Sequence, residues 1–543
     1  LIAGPGGVHW RGVEKPGLKA AAALRSALAG EDTTEGQAAI ARPAFGWDMG
    51  AGRIAPMGQA AAFAPDLAAR YQSLGRLIAA MEARSAEAVA QAVRNPALGE
   101  GQGVAEAHGT KWPIVQGPMT RVSDTAAFAQ SVGDGGALPM IALALMRPKQ
   151  ADKLLEEAAD RLKGKPWGVG LLGFAPSQLI KDQVEVALKH GPSFALIAGG
   201  RPDQAVALEA DGIPSYLHVP SPTLLKMFLE QGAKRFVFEG RECGGHVGPM
   251  SSFVLWDNMV RTLLDEVTDP KAAEEICVLF AGGIHDARSA AMVAAFAAPL
   301  AEQGIKTGVL MGTAYLFTEE SVKGGGIVKD FQDVLLDCTE TVTLETGAGH
   351  ASRAAMSPFA AEFAAKRREL EAKGVGAEEM REELESLTLG RLRIASKATE
   401  RKGDDLLEVE EARRREEGMY MIGQAAQLRS ATTTIDALHR EIGEGAVAYL
   451  EGLDTVPEKA PAKPAEPRPA DVAIVGMSTY LPGAESLSEY WENLLDTKNA
   501  VTEIPAHRWD YRIYFDPDRE AEDKIYSKWG GFLEDMPFDP MRF

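Results

Sequence analysis

From Lys111 onward, eight short apolar runs alternate with helix-like stretches, and no other feature of the chain limits its fold so tightly. The runs are Pro113–Gly117, Ala137–Leu143, Trp167–Gly173, Phe194–Gly200, Pro214–Pro220, Arg235–Gly240, Ile276–Gly283 and Gly308–Thr313. Most end in Gly or Pro. Segments 149–161, 178–190, 221–231 and 286–303 between them carry apolar residues at helical spacing. A run that is apolar almost throughout is a strand buried on both faces, as in a parallel sheet covered by helices. Eight such units spread over residues 111–318 suit a closed (β/α)8 barrel, the TIM barrel of the α/β class. An open doubly wound sheet is the alternative, but it would place its glycine-rich phosphate loop after the first strand.

The flanks divide the rest of the chain. Residues 1–110 are rich in Ala and Gly and read as a mostly helical extension, with helical spacing over 64–95 and little signal in the first 60. The barrel is expected over 111–356. Segment 357–417, dense in Glu, Lys and Arg, reads as a solvated helical insertion. Residues 418–453 regain an amphipathic pattern and should return to the barrel. Pro, Ala and charged residues over 454–470 mark a linker. A fresh buried strand, Asp471–Gly476, then opens a last segment, 471–543. The chain starts at Leu1 rather than Met and stops inside that segment, so it reads as a piece of something longer.

Composition removes several classes of function. A formal charge of −20 argues against nucleic-acid or anionic-membrane binding, which needs a basic excess. No apolar run reaches the roughly 18 residues of a membrane span, and no signal peptide is evident. Cys243, Cys277 and Cys338 are too widely separated for a zinc cluster or disulfide framework, so no metal is expected and a reducing, cytoplasmic setting fits best.

Catalytic groups of a barrel belong in the loops after its strands. The first run leads into Gly117-Pro118-Met119, where a glycine lets backbone approach a flat ligand. After the sixth run, residues 240–248 hold four glycines, among them Gly244 and Gly245, beside one imidazole, His246. Such a loop bends sharply and presents a group able to exchange protons near neutral pH. Cys243 in the same loop has no base beside it in sequence and reads as structural. Gly282-Gly283 and Gly312-Thr313 follow the seventh and eighth runs, the usual phosphate site of this architecture. A phosphate-bearing cofactor is therefore expected there.

In this order the runs PIVQGPM, EGRECGGHVG, LFAGGI and GVLMGTAYLF resemble the nitronate monooxygenase and FMN-dependent enoyl reductase family, including the enoyl reductase domains of polyunsaturated fatty acid and polyketide synthases. The resemblance covers roughly 110–450. It implies FMN with its ring near Gly117, Pro118 and Met119, and its phosphate on Gly282, Gly283, Gly312 and Thr313. It adds Gly244 and Gly245 to the cofactor set. Gly423-Gln424 resembles the family's closing flavin-side pair, and His246 matches its active-site histidine. The long insertion and Leu344–Arg353 resemble the synthase-associated branch, where His350 is a further candidate to face substrate.

A second resemblance follows the linker. DVAIVGMSTYLPGAESLSEYWENLLDTKNAVTEIPAHRWD is similar to the opening of a thiolase-like β-ketoacyl synthase. That family's nucleophilic cysteine and both catalytic histidines would lie beyond Phe543, so this segment cannot condense acyl groups alone. A flavin barrel beside a ketosynthase implies reduction of an enoyl thioester borne on an acyl carrier protein, with NADPH or NADH as reductant. Other domains of the same synthase and a homodimer through the full ketosynthase are the implied partners. Flavin oxidation of nitronates, or a catalytically silent scaffold, are the alternatives.

Overall fold

In the computed structural model the chain is described except for residues 1, 4–8, 11, 15–16, 18, 32, 48–51, 59–62, 348, 404, 455–475, 536–540 and 542–543. The expected linker 454–470 and the strand at 471–476 lie almost wholly outside the described residues. Two compact units result, residues 82–459 and residues 1–81 with 460–543.

The first unit is a closed barrel of eight parallel strands: β1 Ile114–Gln116, β2 Leu138–Ala142, β3 Gly168–Leu172, β4 Phe194–Ala198, β5 Ser215–His218, β6 Arg235–Glu239, β7 Cys277–Ala281 and β8 Lys306–Met311. Each lies within or against one of the eight apolar runs. The cylinder closes through β8 on β1, with Met311 beside Gln116, and through β5 on β6, with Leu217 beside Phe236. Period-two alternation explains why the runs had to be apolar throughout. Val115, Leu138, Met140, Leu196, Tyr216, Val237, Leu279 and Leu310 fill the barrel interior. Their chain neighbours, such as Ile141, Val169, Ile197, Phe236, Phe280 and Val309, form the larger core under the helices.

Local chemistry starts and stops these helices. Pro148–Arg161, Pro202–Ala210 and Pro222–Glu230 each begin on proline, whose fixed φ suits the first turn. The Ser221 hydroxyl accepts the Leu224 N–H, and the Asp286 carboxylate accepts the Ser289 N–H. Gly191 ends Ser177–His190 at φ +66, a conformation that favours glycine.

Three elements complete the unit. Helix Val104–His108, ahead of β1, closes the barrel floor: Val104 joins the inner core, and His108 Nε2 lies 2.7 Å from the Tyr216 hydroxyl. A hairpin, β9 Thr341–Gly347 and β10 His350–Ala355, pairs with the short strand Gly245–His246. Helices Pro358–Ala372 and Ala377–Thr388 then bury Phe359, Phe363, Leu370 and Leu384 against Leu344 and Met419. The solvated reading of 357–417 therefore describes only its outer face. The C-terminal return is held by Ile435, Leu438, Ile442, Ala446 and Leu450 in the main core.

The second unit is built from both ends of the chain. Helices Ala20–Leu28 and Thr34–Ala41 enclose Leu24, Leu28, Ala41 and Phe45. Arg42 pairs with Asp496 at 3.1 Å, and Arg53 with Glu492 at 3.4 Å. The rings of Trp47 and Trp491 meet edge to face at 5.3 Å. The opening residues thus pack on helix Leu487–Leu495, a pairing that nothing in the sequence of 1–60 signals.

Candidate active site

Strand register decides which loops share the barrel rim. Glu239 lies beside Ala281, Ala281 beside Leu310, and Met311 beside Gln116. One residue further on, Gly240 is therefore level with Gly282 and Gly312 with Gly117, while Gly282 is level with Met311, one residue short of Gly312. The top inward layer continues as Ala142, Leu172, Ala198, His218, Glu239 and Ala281 by the same period of two. Ala142, Ala198 and Ala281 leave room for a flat ligand over this layer, and His218 and Glu239 are its two ionisable groups.

Backbone approaches backbone along the rim. A Cβ on Gly282, at φ +106, would lie 2.5 Å from Ser252 Oγ and 3.0 Å from the Gly240 nitrogen. A Cβ on Gly244 would lie 2.7 Å from the Gly423 nitrogen. The Gly423 N–H donates to Thr313 Oγ1 at 2.8 Å, and the Gln424 N–H to the Glu242 carbonyl at 2.9 Å. Residues 423–424 thereby tie the loop after β6 to the loop after β8. Pro118 closes over Gly170, where a Cβ would lie 2.1 Å from the proline Cβ. Ser123 Oγ braces the turn by accepting the Met119 N–H at 2.6 Å.

The expected phosphate cradle is open to a ligand. The backbone N–H groups of Gly282, Gly283 and Gly312 have no recorded acceptor among the described residues. These glycines are half-buried, and three free N–H groups on adjacent loops suit an anionic ligand. The N-terminus of helix Ala287–Glu302 contributes less, because Asp286 already occupies its Ser289 N–H. The residues present thus fit a flavin phosphate through loop amides rather than through this helix.

The loop after β6 is braced from several sides. The Glu242 carboxylate accepts the Ser252 N–H at 2.8 Å and lies 2.6 Å from its hydroxyl. Arg353 donates to the Arg241 carbonyl at 3.1 Å, and the Val247 N–H donates to the Ala351 carbonyl at 3.0 Å. His246 pairs with Ser352 on β10. Partial desolvation of this otherwise exposed side chain, then the neighbouring His350, lowers the His246 pKa below the usual imidazole value, against the opposing charges of Glu239 and Glu385. The structure thus brings His350 into the same environment as His246. Burial, then the charge of Glu239, pushes the Cys243 thiol up, so its thiolate is not available near neutral pH.

Sequence reasoning missed the pair on the inner layer. His218 Nδ1 lies 3.6 Å from Glu239 Oε2, and His218 Nε2 is buried without a partner. A signal did exist: each stands two residues after an inward apolar residue, Tyr216 and Val237, at the end of its strand. Of the named candidates, Gly117, Pro118, Met119, Gly244, Gly245, His246, Gly282, Gly283, Gly312, Thr313, Gly423 and Gln424 all lie on this rim or on the segments tied to it.

The nitronate monooxygenase family model matches residues 148–439. The chain belongs to the nitronate monooxygenase family. A second model, the N-terminal domain of β-ketoacyl synthase, matches residues 470–543. FabK from Thermotoga maritima is 26% identical, with a TM-score of 0.51 over 64% of this chain and 97% of FabK. The polyketide synthase PksL of Bacillus subtilis (strain 168) is 47% identical over 74 residues, which are 13% of this chain. PksM of the same organism is 46% identical over 74 residues, also 13% of this chain. The chain spans only 2% of the length of either synthase. An oxidoreductase-family barrel is therefore followed here by ketosynthase sequence of the polyketide synthase type. Among the described residues, no group of His, Cys, Asp and Glu is arranged to hold a metal, and no helix is long and apolar enough to cross a membrane.

Proposed function

We propose that the barrel is an FMN-dependent enoyl-thioester reductase of a polyketide- or fatty-acid-type synthase, acting on a carrier-bound chain with NADPH or NADH. The observation that carries this reading is the ketosynthase match directly after the barrel, at 470–543. A ketosynthase lengthens a thioester-bound chain, and an adjoining flavin barrel is suited to saturating the double bond of such a chain.

FMN, when bound, supplies hydride transfer from the nicotinamide to the β-carbon of the enoyl thioester. The chain's own residues do the rest. The loop amides of Gly282, Gly283 and Gly312 bind phosphate. Gly117, Pro118 and Met119 shape one side of the ring's bed, and Gly244, Gly245, Gly423 and Gln424 shape the other. His246 stands at the edge of that bed as a neutral imidazole. It places a ring N–H where negative charge develops on the thioester oxygen, or relays a proton to the α-carbon. His218, 3.6 Å from Glu239 on the inner layer, lies beneath that bed with its Nε2 buried.

Purified protein should be yellow and release FMN on denaturation, checked by absorbance and mass. Under anaerobic conditions NADPH or NADH should bleach it, and an enoyl thioester should restore the colour. The family model favours a second reading, oxidation of nitronates, for which bleaching by a nitronate and not by the nicotinamides is expected. A colourless protein that ignores added FMN would leave a scaffold.

A further inference from the structure

A cavity of about 900 Å³ lies between the loop after β1 and the helical insertion. Six cations line it, and they divide sharply. Lys366 pairs with Glu383 at 3.2 Å, Arg391 with Glu417 at 2.6 Å, and Arg413 with Glu400 at 2.7 Å. Arg121, Arg393 and Arg401 have no ion pair or side-chain hydrogen bond among the described residues. The nearby carboxylate, Asp124, is taken by Lys397 at 2.6 Å. The three free guanidiniums also disturb one another. Burial is the main influence lowering the Arg121 pKa, with Arg401 adding to it against the opposing charge of Asp124, and Arg393 is lowered by burial, then by Arg121 and Arg401, again against Asp124. Arg121 further holds φ at +61, which a non-glycine residue rarely adopts.

A chain with a net charge of −20 has carboxylates to spare for pairing its arginines. Two half-buried cations and an exposed one gathered on one wall without an ion-pair partner repel one another and make a local positive field that an anion would relieve. The guanidinium fork matches phosphate oxygens two at a time. Position narrows the ligand. Arg121 is two residues beyond Met119, so the two Cα atoms lie within about 7 Å of each other. The cavity thus opens beside the β1 side of the rim, while the Gly282–Gly312 amides lie on β7 and β8. An anion bound here is distinct from one on those amides.

We propose that Arg121, Arg393 and Arg401 bind a phosphate ester carried on an arm whose other end reaches the barrel rim. Given the reductase reading, on which the choice of sources rests, two reactants have such a group. One is the pantetheine phosphate of a carrier-bound thioester, and the other is the 2′-phosphate of NADPH.

The test uses the full chain and isothermal titration with 4′-phosphopantetheine, with pantetheine, and with 2′,5′-ADP. At least one phosphate ester should bind, more weakly at high salt, and unphosphorylated pantetheine should not compete with it. The doubly substituted R393Q/R401Q should weaken that binding by at least about tenfold, the scale of one charged hydrogen bond. The single variant R401Q, at an exposed side chain, should weaken it less, and K271Q on a distant helix should not. Selective loss for 4′-phosphopantetheine assigns the site to the carrier arm, and selective loss for 2′,5′-ADP assigns it to the reductant. No binding of either ester, or equal binding by wild type and R393Q/R401Q, overturns the proposal. Binding is read without the flavin, so a colourless protein that ignores added FMN yet still binds the ester would refute the reductase reading and leave this site standing.

Discussion

At His246 opposing influences act on one imidazole. Partial desolvation and the proximity of His350 disfavour the cation, while Glu239 and Glu385 favour it, and the balance leaves the pKa below the usual value. A neutral ring at pH 7 is suited to donating a hydrogen bond to a developing oxyanion. His246→Ala should keep the yellow colour and its bleaching by NADPH or NADH, while return of colour with an enoyl thioester slows by at least about 10², the lower range for general acid–base catalysis. Loss of the flavin would make His246 structural, and an unchanged return would move its role to solvent or His350. Glu239→Gln tests the electrostatic account separately. Removing that negative charge should lower the His246 pKa further, so any limb of the pH–kcat profile set by His246 should move to lower pH. A limb that stays in place would show that Glu239 does not govern this imidazole.

Among the elements, the glycine loops are held by contact rather than by their own conformation. The loop after β6 and segment 422–424 approach so closely that a Cβ on Gly244 would meet the Gly423 nitrogen and the Ile422 carbonyl carbon, both at 2.7 Å. Backbone cannot rotate aside as a side chain can. Gly244→Ala should therefore part the two segments, at a cost of about 1–3 kcal/mol typical of overpacking. Purified G244A should hold less flavin and melt earlier; full flavin content with an unchanged melting point would contradict this packing. Helix Ile435–Ile442 depends on a different device. His439 Nδ1–H donates to the Gly135 carbonyl at 2.8 Å, which leaves Nε2 to accept the Tyr315 hydroxyl at 2.7 Å. One neutral tautomer thus bridges the return segment to two parts of the barrel.

For the whole molecule these buried imidazoles link folding to pH. Burial lowers His108 to about 3 and His439 to about 4. Both folded values lie below the unfolded one, so the unfolded chain binds more protons in acid. Their contribution is complete above pH of about 6.5 and is lost as pH falls toward the folded values. Between them they should steepen the acid loss of stability by up to about 2.7 kcal/mol per pH unit. The urea midpoint measured from pH 7 to pH 5 should fall accordingly, and His439→Gln should flatten the dependence by about one proton. An unchanged slope would remove His439 as its source. Assembly also belongs to this scale. If the resembled ketosynthase drives dimerisation, mass photometry should find more dimer in a chain extended through that whole domain than in residues 1–543. Equal oligomerisation would place the interface elsewhere.

The barrel was legible in the sequence because burial on both faces of a strand forces a local pattern, and eight such patterns leave few architectures open. The rim glycines were legible for a related reason: tight turns and close backbone approach demand glycine wherever the chain goes next. His218 and Glu239 were not singled out, because their place two residues after Tyr216 and Val237 becomes a signal only once those residues are known to face inward. Only β-register, set by hydrogen bonds between strands far apart in sequence, aligns Gly240, Gly282, Gly312 and Gly117 on one edge. Tertiary structure alone also set His350 near His246, gave the charged insertion an apolar core, and packed residues 42–53 on helix Leu487–Leu495. It likewise gathered Arg121, Arg393 and Arg401 around one cavity. Periodicity reports which side of an element is buried, whereas the identity of what covers it depends on long-range packing that no local window contains.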